Sequence, residues 1–427
     1  MGRRKTTVNE AARSGRRPTG RAALALAALV LAAACGGETD RDGVPADVNA
    51  AEVLGPEQAA AGTPVKFGLI SGKGSTGARE LEALVGQAAV KYLNQHKKGI
   101  AGRPIELITC ETGATPATAA DCANRMVEQK AAVVVVGSTP AVENVWQPLH
   151  DAKVPTMFYA ANGAKMLGDR ETTFALADPF FPLVTLPVRL AKEKNLKSVT
   201  VVVIDVPTAM APYQTIATPD VFEKQGITLN VVPVPLGTAD MTPQMQRIAS
   251  GEPGLVQVIG NDSFCIGALN GLRAVGFDGP VTATEQCFTD ATRKAVPASS
   301  LKGIVVAASH PSGADNPSTL LYKTAVATYG EKGKEIDTSM PAGMNMFSAV
   351  LAVQAATTTL EGEVTPQSIT AAIKNMPEQE LPVAGGRTFR CGGGAQPAMP
   401  AVCAKGGFMG ILGEDGHPAE YTLDEDS

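Results

Sequence analysis

The stretch AAVVVVGSTPAVENVWQPLHDAKVPTMFYAAN, residues 131–162, decides the fold. Val133 to Val136 is a continuous β-branched run. Such a run has no polar face to offer solvent, so it predicts a strand covered on both sides, as in a parallel sheet. Gly137-Ser138-Thr139-Pro140 ends it with turn residues and two hydroxyls. Ala141 to Lys153 predicts a helix, and Val154 to Tyr159 a second strand ending in Ala160-Ala161-Asn162-Gly163. A strand–helix–strand unit makes its two strands parallel, so both polar ends fall at one sheet edge. In open α/β sheets, ligands bind beyond the carboxyl ends of the strands. One small, polar loop is an ordinary connection; two adjacent ones, bearing hydroxyl and amide groups, mark a ligand site.

The same alternation runs along both flanks. On the amino side, Pro64 to Ile70 predicts the first strand, about Ala78 to His96 a helix, Pro104 to Thr109 a strand and Thr115 to Lys130 a helix. On the carboxyl side, Thr172 to Ala177 reads as a short extended segment leaving the first domain. A second series follows: strands at 198–205, 228–234, 255–259 and 281–284, with helices at 213–225, 242–250 and 263–275. Thr242 is the expected N-cap of one helix, and Thr365, before Pro366, that of another. Residues 303–308 predict a strand that returns across a hinge, and 320–329 and 343–360 predict helices. The tail from Cys391 is rich in Gly and Pro, with one apolar stretch at 408–412. The fold class is α/β, with two similar doubly wound domains joined by a multi-segment hinge. Domain 1 is assigned residues 64–175 plus 310–390, and domain 2 residues 176–309 plus 403–427.

Charge and cysteine usage bound the setting. The chain of 427 residues carries a net charge of −5, but residues 1–34 hold seven Arg/Lys against Glu10, so the rest stands at −11. An acidic body without a basic patch excludes nucleic acid as the expected partner. The Arg-rich start, the apolar run Ala22–Ala34 and the small residues after it have the layout of an export signal, assigned to residues 1–34. That run is too short to span a bilayer as a helix. Leu31-Ala32-Ala33-Ala34-Cys35 resembles a bacterial lipobox, with the Leu one place further from Cys35 than the pattern prefers. A lipid on Cys35 is therefore expected, with residues 35–63 as a polar, aperiodic tether. The other six cysteines fall in local pairs: Cys110 with Cys122, Cys265 with Cys287, and Cys391 with Cys403. In an exported chain these read as disulfides, and their spacing and distance from histidine exclude a structural zinc.

Gly72-x-Gly74-x-x-Gly77 follows the first strand, where a dinucleotide fingerprint would lie. The acidic residue it needs about 20 positions on is missing, since Glu106 and Glu111 lie 29 and 34 residues beyond Gly77. The loop also fails the Walker A spacing, so no cofactor is expected. An enzyme is not expected either. The four histidines, at 96, 150, 310 and 417, are scattered, and neither HExxH nor G-x-S-x-G occurs.

Lipobox, tether and two αβ halves, with Val133–Thr139, Val154–Asn162 and the late Gly386-Arg387-Thr388-Phe389-Arg390-Cys391, resemble the type I periplasmic binding proteins. The branch is the leucine/isoleucine/valine-binding group, the receptors of ABC importers. The resemblance implies a small polar ligand, most simply an amino acid or a related amide or carboxylate, held in an interdomain cleft. It implies delivery to a membrane permease complex by a monomeric receptor anchored outside the cytoplasmic membrane. It also implies that Ser138, Thr139, Ala160, Ala161 and Asn162 hold the α-carboxylate and α-ammonium, with Asn162 in place of the family's Thr. From the second domain it implies Thr208, with Asp262 or Glu285 as the acid and Gln286 beside it. A helix N-cap is the plain alternative for Asp262, and exposed scaffold for Glu285. Lobe closure is expected about residues 175–179, 306–310 and 389–405. A ligand sensor reporting to a separate membrane receptor shares these features and is the second expectation.

Overall fold

The structure is a computed structural model describing residues 44, 48–72, 80–113, 115–139, 141–161, 163–251, 254–311 and 316–424. The chain divides into two units, Met1–Gly37 and Glu38–Ser427. The first unit, with the expected export signal and Cys35, lies outside the described residues.

The first sheet contains β1 (Val65–Gly72), β2 (Ile105–Thr112), β3 (Val133–Val136), β4 (Thr156–Phe158) and β5 (Thr173–Ala175), in the order β2-β1-β3-β4-β5. All its pairs are parallel. β3 occupies the limits read from its valines and is buried throughout. Its side chains alternate between two cores, as the strand period of two demands. Val133 and Val135 pack with Phe67, Leu69 and Met157 under the helices Leu81–His96 and Pro341–Ala356. Val134 and Val136 pack with Ile70 and Phe158 under the helices Pro116–Glu128 and Val142–Asp151. Gly86 lets the first of these helices approach β1: a Cβ there would lie 2.0 Å from Leu69 Cδ1. The segment expected to leave the first domain instead supplies β5, because Phe174 pairs beside Met157.

The second sheet contains β6 (Ser198–Asp205), β7 (Thr228–Pro235), β8 (Leu255–Ile259), β9 (Val281–Thr284) and β10 (Val305–Ala308). A two-stranded ribbon pairs β11 (Gln379–Glu380) with β12 (Thr388–Phe389). β13 (Gly407–Leu412) and β14 (Pro418–Asp424) then complete the second sheet, whose order is β14-β13-β10-β9-β8-β6-β7. β13 runs antiparallel to β10, so the apolar stretch of the tail is a sheet strand and the polar segment after it a sheet edge. The expected helix at 213–225 is two shorter ones, Pro207–Thr215 and Pro219–Glu223, each opened by a proline, whose missing N–H costs nothing there. Thr242 is not a side-chain cap; Asp240 Oδ1 accepts from the Thr242 N–H at 2.9 Å instead. Thr365 does cap its helix, in a reciprocal capping box with Ser368.

The chain passes between the sheets after Ala175, after Ala308 and before Gly407. The first and third passages lie together: Cys403 N donates to Ala175 O at 2.7 Å and Ala175 N to Ala401 O at 2.8 Å. The three cysteine pairs are bonded as the spacing predicted. The bridge Cys391–Cys403 closes the segment leading into the third passage.

One polar knot secures the end of the first sheet. Asp169 accepts from Thr173 Oγ1 (2.6 Å), Glu171 N (2.8 Å), Thr173 N (2.9 Å), Thr172 Oγ1 (3.1 Å) and Thr172 N (3.2 Å). Burial alone raises its pKa, but the bonds from Thr173, Glu171 and Thr172 and the nearby His150 outweigh this and lower it. A lowered carboxylate pKa stabilises the fold above the unfolded value and stops doing so as pH falls through the folded value. Asp169→Ala is therefore expected to cost about 2 kcal/mol at pH 7 by urea titration. The deficit should shrink as pH falls through the lowered pKa of the folded carboxylate, where the wild type also protonates.

Candidate functional site

The carboxyl ends of both sheets carry the chemistry. In the first sheet, Gly137 N donates to Ile70 O at 2.8 Å and Gly72 N to Ser138 O at 2.7 Å, which stitches the turn after β3 to the end of β1. Ser138 N donates to both oxygens of Glu82, at 2.9 and 3.1 Å. A Cβ on Gly137 would lie 2.4 Å from Glu82 Oε2, so the carboxyl rests on the bare peptide. Glu82, on the first turn of Leu81–His96, is 7% exposed, and burial pushes its pKa up to about 7 against the opposing bond from Ser138. Thr139 Oγ1 bonds Thr112 Oγ1 at 2.9 Å. Ser138 and Ala160 are exposed, while Ala161 is buried in the core beneath β4. Asn162 lies outside the described residues, as do Gly74 and Gly77.

The ends of β4, β9 and β10 meet. Tyr159, one residue beyond β4, donates its hydroxyl to Ser309 O at 3.2 Å, and its ring lies 5.1 Å from that of His310. Ser309 N donates to Glu285 Oε1 at 3.1 Å. Glu285 opens the 3₁₀ turn Glu285–Cys287 after β9. It is 8% exposed rather than surface scaffold, and burial pushes it up to about 7 although Ser309 pulls the other way. Arg387, 1% exposed, donates from Nε to Lys405 O at 2.9 Å. Asp178 accepts from Phe180 N at 2.9 Å and Gly406 N at 3.0 Å. Burial raises the Asp178 pKa, and the bonds from Gly406 and Phe180 and the charge of Arg387 offset part of that rise. All three passages between the sheets thus converge on one buried polar cluster.

The other sequence-derived positions are more dispersed. Thr208 sits half-buried on the first turn of Pro207–Thr215 rather than in a loop. The cap of the helix Asp262–Ala274 is Asn261, whose side chain accepts from Phe264 N. Asp262, the first helical residue, instead accepts from Ser263 N at 2.7 Å and Thr289 Oγ1 at 3.2 Å. Gln286 is exposed. Among the described residues, no hydrogen bond joins Thr208, Asp262 or Gln286 to Ser138, Thr139 or Glu285. Sequence reasoning missed Glu82, Tyr159, His310 and Arg387. Glu82 reads locally as an acid placed favourably at a helix start, and Arg387 as a surface cation. No periodicity marks either as buried. A groove of about 460 Å³ lined by Lys197, Thr228, Asn230 and Arg247 lies at the amino ends of β6 and β7, the edge opposite the strand ends described here. Among the described residues, no cluster of three or more His, Cys, Asp or Glu is placed to hold a metal, and no helix is long and apolar enough to cross a membrane.

No curated protein matches the chain. Solved structures share its fold at low identity. The branched-chain amino acid transporter substrate binding protein LivJ from Streptococcus pneumoniae, in complex with isoleucine, is 17% identical. Its TM-score is 0.65, and the alignment covers 85% of this chain and 100% of that one. An ABC transporter solute binding protein from R. palustris, in complex with 4-hydroxybenzoate, is 18% identical with a TM-score of 0.65, covering 85% of this chain and 98% of that one. The fatty acid ABC transporter substrate-binding protein from Thermomonospora curvata is 15% identical with a TM-score of 0.65, covering 86% and 93%. The sequence model described as "Periplasmic binding protein" matches residues 64–407, which include every strand of both sheets except β14 and most of β13. Such proteins bind small molecules outside the cytoplasm for ABC transporters. On that match, and on two largely parallel sheets linked by three passages, this chain belongs to the periplasmic binding protein family.

Proposed function

We propose that this chain is an extracytoplasmic receptor that captures an amino acid or a related amide or carboxylate between its two sheets and delivers it to an ABC permease. The observation that carries the reading is the meeting of strand ends at Tyr159, Ser309 and Glu285. Groups from both halves converge there, so a ligand touching both would bias the lobes toward closure. Isoleucine, 4-hydroxybenzoate and fatty acids differ in body but share a carboxyl group, which favours a carboxylate as the constant feature of the ligand. Ser138, Thr139, Ala160 and Asn162 from the first half, and Thr208, Asp262, Glu285 and Gln286 from the second, are the residues proposed to line the cleft. Membrane attachment through lipidated Cys35 belongs to the same reading.

A thermal-shift screen of the purified chain against amino acids, their amides, small carboxylates and NAD tests it. A ligand at 100 times its dissociation constant is expected to add about 2.7 kcal/mol. A hit among amino acids or carboxylates supports the receptor; a response to NAD alone overturns it. Incorporation of labelled palmitate, lost in Cys35→Ser, tests the anchor.

A further inference from the structure

Three buried polar atoms beside the meeting of the strand ends stand out. Neither ring nitrogen of His310 nor Nη2 of Arg387 has a hydrogen-bond partner among the described residues, although both side chains are 1% exposed. Unpartnered buried donors are costly and uncommon in folded proteins. The two residues are neighbours. Tyr159 packs its ring on His310 at 5.1 Å, and the charge of Arg387 acts on both side chains. Burial and the charge of Arg387 push His310 down to about 3, so its imidazole is neutral at ordinary pH and offers one N–H. Glu285 lies on the other side of Ser309, one peptide away from His310.

The edge expected to hold a carboxylate is meanwhile committed elsewhere. The Ser138 N–H is given to Glu82, and Thr139 Oγ1 is bonded to Thr112. A ligand carboxylate brought to the Ser138 peptide would meet another carboxyl group already seated there.

We propose that Arg387 and His310 form an anion subsite at the floor between the two sheets, which takes the ligand's carboxylate on guanidinium Nη2 and the imidazole N–H. Glu285, next to it, takes the ligand's ammonium or another donor. A guanidinium and a carboxyl group placed side by side suit a zwitterion or a hydroxy acid. This assignment rests on the receptor reading above and moves the carboxylate from the Ser138–Thr139 edge to the floor.

The test uses the purified full-length chain labelled with ¹³C and ¹⁵N in histidine, with sodium acetate as probe and acetamide as its uncharged counterpart. Acetate is expected to move the ring resonances of His310, assigned by their loss in His310→Phe, and to leave those of His96, His150 and His417 in place. Acetamide should move none. Arg387→Met should weaken the acetate response about tenfold or more. Because Arg387 also holds the Lys405 carbonyl, that variant risks misfolding. His310→Phe, which keeps a ring against Tyr159, then serves through loss of the acetate-induced rise in melting temperature. Equal shifts at all four histidines, or an unchanged response in Arg387→Met, overturn the subsite. An amino acid that stabilises the wild type and both variants equally also overturns it and leaves the receptor standing. A His310 response to acetate, with no amino acid and no carboxylate larger than acetate raising the melting temperature, supports the subsite and overturns the receptor reading.

Discussion

Glu82→Gln and Glu285→Gln are each expected to stabilise the folded chain by about 2–3 kcal/mol at pH 8 and to have almost no effect at pH 4. Both carboxyls are pushed up to about 7 by burial. A raised carboxyl pKa means that the folded state holds a proton the unfolded chain has released. The stability contributed by that proton is fully present below the unfolded value near 4.5 and is lost as pH rises through about 7. His310 works in the opposite sense. Its pKa is pushed down to about 3, so the unfolded chain gains a proton there below about 6.5 and folding weakens as pH falls through that range. Between about pH 5 and 6.5 the two glutamates outnumber the one histidine, so stability should still decline with rising pH. Above 6.5 only the glutamates act. Urea midpoints at pH 4, 5, 6, 7 and 8 for wild type and both variants check this. Identical pH profiles for all three would show that neither carboxyl is held protonated. Glu285→Gln should also lose ligand affinity under the proposed function, a trade of stability for binding that is common at built sites.

Phe347→Ala is expected to cost about 3–5 kcal/mol, read as a lowered urea midpoint with an unchanged slope. Phe347 lies on the helix Pro341–Ala356 and is 0% exposed. Its ring centroid is 6.2 Å from that of Tyr92 on Leu81–His96 and 5.4 Å from that of Tyr322 on Pro317–Tyr329. Three helices, the first more than two hundred residues before the other two, therefore share one aromatic cluster over the first sheet. Removing the ring loses its transfer free energy and leaves a cavity that three anchored helices cannot collapse into. Tyr322→Phe is the contrast. The Tyr322 hydroxyl is buried with no partner among the described residues, so its deletion should leave stability unchanged or raise it. A small loss for Phe347→Ala would mean that the helices repack.

Ser348, the neighbour of Phe347, is buried as well, and Ser348 Oγ donates to Pro382 O at 2.9 Å. Both side chains serve the packing of the first half.

The sequence by itself determined the strands whose signal is local. β3, β6, β8 and β9 begin and end where their β-branched runs meet turn residues. A chain of such runs separated by helices leaves a doubly wound sheet as the economical arrangement. The Thr365 cap and the three cysteine pairs were legible for the same reason, since each is set by residues close in the chain. Tertiary structure alone decided where partners lie far apart. β13, apolar, and β14, of mixed polarity, become strands only because β10, about a hundred residues earlier, offers its edge. Pro207 could open a loop or a helix, and the packing of Tyr213 against the second sheet selects the helix. The charged residues of the site were the least legible. Glu82 is buried by the turn at Gly137, Glu285 by Ser309, and Arg387 by the passage at Lys405. Whether a charge is exposed or buried depends on which distant segment covers it, and no local pattern encodes that.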